Sequence, residues 1–229
     1  MIYENFSSIE FERHGVSTVI IPIGSYEQHG LHATLATDYI IADEIAKRLS
    51  INSGIYKMPP IVYGCSNLHL GHSGTVSVKE DTFTNYLSDI VDSLIGSNVK
   101  RIFFVNGHGG NILSLNKLKE LYLNKIDIVI LSWWIIGRNL RLFRDEETHH
   151  AGALETSVLL AIDEKYVNNE LFVDNAIVEY NPYNVKSIDD ITPTGSIGIV
   201  TTASKQRGEF YLDELIKYIL NNIILPETQ

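Results

Sequence analysis

The stretch "VKRIFFVNGHGGNILSLNKLKELYL" (99–123) decides the fold. Its first part, 99–107, is short and apolar without a break, which predicts a strand buried on both faces. Its last part, 111–123, repeats apolar residues near every 3.6 positions, which predicts a helix. Between them, glycines flank His108. The same rhythm recurs outward in both directions. Segments 16–24, 55–64 and 126–134 read as strands, the second at an edge or with an irregular end because of Pro59 and Pro60. Segments 38–49, 80–96, 152–162 and 210–224 read as helices. Such alternation implies parallel pairing with right-handed crossovers. The predicted fold is therefore α/β, a three-layer α/β/α sandwich with a mostly parallel sheet, as a single domain over 1–229.

Composition narrows the function. A chain of 229 residues with 45% hydrophobic content can build one large core. A net charge of −10 and a pI of about 5.2 argue against nucleic acid or an anionic lipid surface as partner. No apolar run approaches the ~18 residues that would span a bilayer. The start, "MIYENFSSIEFERHG", lacks the cationic and apolar halves of a secretory signal. Cys65 is the only cysteine, so no internal disulfide forms, as suits a reducing cytoplasm. Any metal here would be held by nitrogen and oxygen.

In open parallel sheets, ligands gather beyond the carboxyl ends of the strands. The clusters "EQHG", "NGHGGN" and "WWIIGR" each follow a strand, which puts all three on one rim. "GSYEQHGLHATLATD" (24–38) carries Glu27, His29, His32 and Asp38. Glu27 and His29 are two apart, which in extended chain sends both side chains the same way. The stretch is either a polar loop ending in a helix-capping Asp38, or part of a site for one divalent ion, or for two bridged by Asp38. "NGHGGN" is either a phosphate turn or a close backbone that aims His108 inward. The P-loop pattern fails, because no Gly-Lys-Ser/Thr follows. Asn106 and Asn111 suit the turn or the helix cap. In "ETHHAGALETS" (147–157), Glu155 faces the cavity of His150 only if the helix begins near Gly152; ordinary capping is the other reading. His69 and His72 of "NLHLGHSGTVSV" (67–78) read as loop residues beside the site. The glycine- and hydroxyl-rich 194–209 segment would cover the site or make a subunit contact.

Taken in order, "PIGSYEQHGLHATLATD", "GHSGTVSV", "VNGHGGN", "HAGALETS", "TGSIGIV" and "ASKQRGE" resemble the creatininase (creatinine amidohydrolase) family. The resemblance implies a three-layer α/β/α fold, a two-metal hydrolytic site, and hydrolysis of C–N bonds in cyclic or linear amides. It implies zinc, with manganese and iron also met, and a homo-oligomer, commonly a hexamer built from dimers. Glu27, His29, Asp38 and His108 match the family's metal ligands by position, with Asp38 as the bridge. Creatininase itself has a further glutamate ligand two residues after the histidine matched by His108, where this chain has Gly110. Glu155 is then the expected carboxylate, as ligand or as acid/base. Gly109 replaces an aromatic and His149 a glutamate of creatininase, so creatinine as the substrate transfers poorly. His150 matches a proton-handling histidine. Trp134 or Trp133, with Gly109 and His69, is expected at the substrate.

The expected reaction is hydrolysis of a small amide, formamide or lactam by metal-activated water. His150 would serve the departing nitrogen, and N–H groups near Gly109 and Gly110 the developing oxyanion. Deformylation of a formamidopyrimidine nucleotide and peptide processing are alternatives within the family. The nucleotide option needs a cation for its phosphate, with Arg138, Arg141, Lys205 and Arg207 available. Outside that chemistry stand a nucleotide- or phosphate-binding module using "NGHGG" and a metal-dead structural relative; retention of all four matched ligands argues against the latter.

Overall fold

The computed structural model of the chain describes residues 6–177 and 187–225. Residues 1–5 of the stretch read against a secretory signal lie outside these. Four strands, β1 (Thr18–Ile23), β2 (Tyr56–Lys57), β3 (Arg101–Asn106) and β4 (Asp127–Ser132), form one parallel sheet in the order β2-β1-β3-β4. β1 and β3 pair from Thr18 opposite Arg101 to Ile23 opposite Asn106. β3 and β4 pair from Arg101 opposite Asp127 to Asn106 opposite Ser132. The carboxyl ends of β1, β3 and β4 are therefore level, and the loops that leave them share one rim.

The described residues also form helices α1 (Ser8–Arg13), α2 (Thr37–Ser53), α3 (Glu80–Gly96), α4 (Ile112–Leu121), α5 (Trp133–Gly137), α6 (Ala153–Ile162) and α7 (Lys205–Ile219), which a π-helical turn extends over Leu220–Ile224. Alternate strand residues serve opposite faces of the sheet. Ile20, Phe103, Val105 and Leu131 pack with Ile41 and Ile45 of α2, Val158 of α6 and Leu212 of α7. Val19, Ile21, Ile102 and Phe104 pack on the other face with Phe83 and Leu87 of α3 and Leu115 of α4. Each such side chain, fully buried, contributes roughly 1.5–3 kcal/mol relative to exposure. This is the three-layer α/β/α arrangement expected from the sequence. None of the described helices is long and apolar enough to cross a membrane.

Several boundaries differ from the sequence expectation for local reasons. The 55–64 strand shrinks to two residues, since Pro59 and Pro60 have no N–H for the ladder. Met58 and Ile61 still donate to the carbonyls of Ile20 and Pro22, at 2.8 and 2.9 Å. The 126–134 strand stops at Ser132, and Trp133 starts α5. α7 begins five residues before the expected 210, because the Ser204 hydroxyl caps it by accepting from the Arg207 N–H at 3.3 Å. The short α1 has no counterpart in the apolar pattern; Ser7 and Glu10 hold it by a reciprocal capping box.

Candidate metal centre

The rim brings together side chains that are far apart in sequence. Glu27 and His29 lie just past β1, Asp38 in the first turn of α2, His108 after β3, and Glu155 in the first turn of α6. Asp38 lies between two imidazoles: its Oδ1 is 3.0 Å from His29 Nε2 and its Oδ2 is 2.9 Å from His108 Nδ1. Glu27 Oε1 faces His108 Nδ1 at 3.3 Å and His69 Nε2 at 3.5 Å. Glu155 Oε2 stands 3.9 Å from His29 Nε2. Three overlapping sets, Glu27–His29–Asp38, Glu27–His69–His150 and His29–His150–Glu155, each place their ligand atoms within 4.8 Å of one another.

These donors fit a divalent metal ion. Both carboxylate oxygens of Glu27 and Nε2 of His29 are buried and have no hydrogen-bond partner, although His29 lies close to Asp38. A buried carboxylate without donors is costly unless a cation compensates it. An all-N,O set containing two or more carboxylates and imidazoles suits zinc, manganese or iron.

The surroundings fix these groups. Ser25 donates to Asp38 Oδ2 at 2.7 Å. His29 Nδ1 is held by the Glu27 carbonyl at 3.1 Å and His108 Nε2 by the Cys65 carbonyl at 3.0 Å, which turns the other ring nitrogen of each toward the carboxylates. Asn106 accepts from the His108 N–H at 3.1 Å. Asn111 accepts from the Cys65 N–H at 3.0 Å and donates to the Gly24 carbonyl at 2.9 Å, stitching three rim loops together.

α6 does begin after Gly152, as the Glu155 reading required. The turn before it places Ala151 at φ 55°, an uncommon conformation for a residue with a side chain. In that pose the Ala151 N–H donates to Glu155 Oε2 at 2.7 Å. Glu147, also buried, ties the same turn to α7 through both terminal nitrogens of Arg207, at 2.8 and 3.0 Å.

Gln28 is the organiser that motif reading passed over. Its Nε2 lies 2.8 Å from His69 Nδ1, 3.0 Å from the Gly195 carbonyl and 3.0 Å from His150 Nε2. An amide has only two hydrogens to give. His150 Nε2 also lies 3.0 Å from the backbone carbonyl of Gln28, which can only accept. A consistent assignment gives the amide hydrogens to His69 and Gly195, and the His150 Nε2–H to the Gln28 carbonyl. The Gly30 N–H on Gln28 Oε1, at 2.9 Å, fixes the amide orientation. His69 then presents Nε2–H to Glu27, while His150 presents an unprotonated Nδ1 toward the ligand cluster, 3.9 Å from Glu27 Oε1.

Electrostatics sort the titratable groups. Burial opposes the Glu27 charge, but the imidazoles of His108 and His69 outweigh it and hold the carboxyl down at about 2. Asp38, likewise desolvated, is held well below the usual range by His29 and His108. Burial disfavours protonated His29, yet Asp38, Glu155 and Glu27 raise it to about 9. His108 is raised well above its ordinary value against burial, by Glu27 and Asp38. Glu155 moves up to about 7, because burial and the charges of Asp38 and Glu27 exceed the help from His29 and Ala151. His69 falls to about 4 and His150 well below its ordinary value, chiefly by burial and also by neighbouring imidazoles.

The remaining candidates separate. Trp133 is 1% exposed and packs edge-to-face on Tyr211 in the core, with ring centroids 5.9 Å apart. Trp134 instead lines an open cavity with Arg138 and Arg141. Gly109 has open space where a side chain would project. A Cβ at Gly110 would collide with the Cys65 carbonyl and the His108 ring. His72 pairs with Asp189 at 2.8 Å, away from the ligand set. His32 bonds the Thr156 hydroxyl at 3.0 Å, tying the 24–38 loop to α6. The late loop lies on the site: Gly195 accepts from Gln28, and the Ile197 N–H donates to the His150 carbonyl at 2.9 Å. Gln28 and Ser25 had no motif signal of their own, beyond standing beside Glu27.

Comparison with known proteins agrees with this geometry. The family model for creatininase, described as creatinine amidohydrolase, matches residues 4–223. A creatinine amidohydrolase of Pseudomonas putida is 27% identical over 91% of this chain and 89% of its own length. A mycofactocin precursor peptide peptidase of Mycolicibacterium smegmatis is 31% identical over 88% of this chain and 82% of its own. The crystal structure of a creatininase superposes with a TM-score of 0.81 at 27% identity, covering 98% of this chain and 97% of that one. Solved creatininases include a Zn–Zn type and a manganese form. Matched along nearly its whole length in sequence and in fold, the chain belongs to the creatininase family.

Proposed function

We propose that the chain is a metal-dependent amidohydrolase that cleaves a C–N bond of a small amide, formamide or lactam. The observation that carries this is the buried set of Glu27, His29, Asp38 and His108, joined by a partly exposed Glu155, with its unpartnered Glu27 and His29 atoms. Asp38 turns one oxygen toward each of two imidazoles; Glu27, His108, His29 and Glu155 would join it in holding two divalent ions. Ions held there would supply Lewis acidity to a carbonyl and lower the pKa of an attacking water. Zinc, with manganese or iron as substitutes, suits the ligands. A cytoplasmic homo-oligomer, six copies by family likeness, is part of the same reading.

The chain's own residues supply the rest. His150 is neutral at rest, with Nδ1 as its free lone pair, so it first takes a proton and then returns it to the departing nitrogen. His69 faces Glu27 across 3.5 Å and keeps its carboxylate turned to the ligand set. The bare backbone at Gly109 lets a flat substrate approach closely. The phosphate-cradle reading of "NGHGG" fits less well, because His108 turns from that loop onto Asp38 and Glu27, whose charges would repel an anion.

Elemental analysis of protein purified without added metal tests this. About two equivalents of Zn, Mn or Fe per chain, lost together with amide hydrolysis in Asp38→Ala, are expected. No metal in the parent protein, and none taken up on addition, overturns it.

A further inference from the structure

Of the four cations that a phosphate could meet, the structure leaves two uncommitted. Arg207 grips Glu147 and lies 3.9 Å over the Phe143 ring. Lys205 pairs with Glu164 at 3.1 Å. Arg138 and Arg141 have no carboxylate partner among the described residues. Both line one cavity of about 310 Å³, whose other walls include Trp134, Phe143 and Tyr211. That size lies at the lower end of the ~300–1,000 Å³ usual for small-molecule sites.

A second observation points to a ligand there. Tyr211 is 1% exposed, yet its hydroxyl has no hydrogen-bond partner. The hydroxyl sits against Gly137, which also lines the cavity, and any side chain at 137 would collide with it. Buried hydroxyls are ordinarily satisfied. In a chain of net charge −10, two uncompensated guanidiniums facing one aromatic-walled cavity are also unusual company. Arg144 lines the cavity too, but is paired with Glu146 at 3.1 Å, and Asp145 is the one carboxylate on its wall. The wall also carries Thr148 and Leu154, which bracket His149, His150 and the approach to Glu155.

We propose that this cavity is an anion subsite. Arg138 and Arg141 take a phosphate or carboxylate by charge-assisted hydrogen bonds, the Tyr211 hydroxyl donates to the same group, and Trp134 and Phe143 flank the flat body that carries it. The proposal rests on the hydrolase reading only in taking that anion as part of the amide substrate. Anion capture by the cavity stands without it.

Calorimetric titration with phenyl phosphate and with benzoate tests the site, using metal-loaded parent protein, Arg138→Gln/Arg141→Gln and Asp38→Ala. Glutamine keeps much of each arginine's stem and removes its charge. One-to-one binding is expected in the parent and in Asp38→Ala, with Kd at least tenfold weaker in the double arginine variant. The tighter of the two probes assigns the anion. No saturable binding to the parent, equal binding in the arginine variant, or loss of binding in Asp38→Ala overturns the subsite; the last would place the anion on the metal centre. Metal content of the parent, measured in parallel, reports separately on the hydrolase reading.

Discussion

Stripping the metal and raising the pH should weaken the protein, while the same change tightens its hold on metal. His29 is fully buried, and its Nε2 lies 3.0 Å from Asp38. Burial alone would lower its pKa, but Asp38, Glu155 and Glu27 raise it from 6.5 to about 9. A histidine whose folded pKa is raised contributes stability that is fully present below its unfolded pKa of ~6.5 and is lost as pH rises through the folded value. The interval from 6.5 to about 9 spans about 2.5 pH units. At about 1.4 kcal/mol per unit, the metal-free protein loses about 3 kcal/mol through His29 across that window. That is a large share of a typical 5–15 kcal/mol. His108, raised by Glu27 and Asp38 against burial, adds in the same direction. A metal ion must displace these protons, so its affinity should rise about tenfold per pH unit for each proton released. Urea denaturation of chelated protein at pH 6.5, 7.5, 8.5 and 9.5 gives the first slope. Titration calorimetry in buffers of different ionisation enthalpy gives the proton count for the second. His29→Gln should flatten the stability slope by the His29 share. Metal-free stability that is level or rises over this range, or an unchanged slope in His29→Gln, refutes the electrostatic account.

Four substitutions probe the rest of the site. Gln28→Leu removes the donors to His69 and Gly195; steady-state assays should show kcat down roughly 10–100-fold, with a shifted pH profile and unchanged metal content. Glu155→Gln should lower bound metal by about one equivalent in elemental analysis; full metal with lost turnover would instead make Glu155 an acid/base. Gly110→Ala drives a Cβ into the Cys65 carbonyl and the His108 ring, and should cost roughly 1–3 kcal/mol in urea denaturation. Gly109→Ala, with open space at that position, should stay within roughly 0.5 kcal/mol of the parent.

The layers were legible in the sequence because the strands at 18–23 and 101–106 are buried on both faces and read as unbroken apolar runs. The rim was legible because polar clusters follow those runs directly. What escaped the sequence depends on contacts between distant segments. Gln28 looks like a spacer between Glu27 and His29, and becomes an organiser only when 69, 150 and 195 arrive around it. Trp133 and Trp134 are indistinguishable as letters. The end of β4 at Ser132 and the turn into α5 send one into the core and leave the other on a cavity wall. Arg207 looked as available as Arg138 until folding buried Glu147 beside it.

Gly110, where the family resemblance would put a carboxylate, has a steric reason of its own. The 106–111 turn lies down on the 65 segment, with His108 Nε2 on the Cys65 carbonyl, and Gly110 fills the space a side chain would need. A glutamate could not simply be restored there without moving that contact. Glu155 approaches from the opposite wall, held by the Ala151 N–H and facing His29. Its raised pKa is what a carboxylate shows when burial and the charges of Asp38 and Glu27 outweigh the help of His29 and the Ala151 N–H. Its hold on the site therefore depends on α6 starting at Ala153 and on the positive φ of Ala151, a strain that the Glu147–Arg207 pair helps to sustain. Glu155 is thereby coupled to the turn that also carries His150. Any change that relaxes that turn should loosen metal retention and proton transfer together, whereas a change confined to the 106–111 loop should disturb His108 alone.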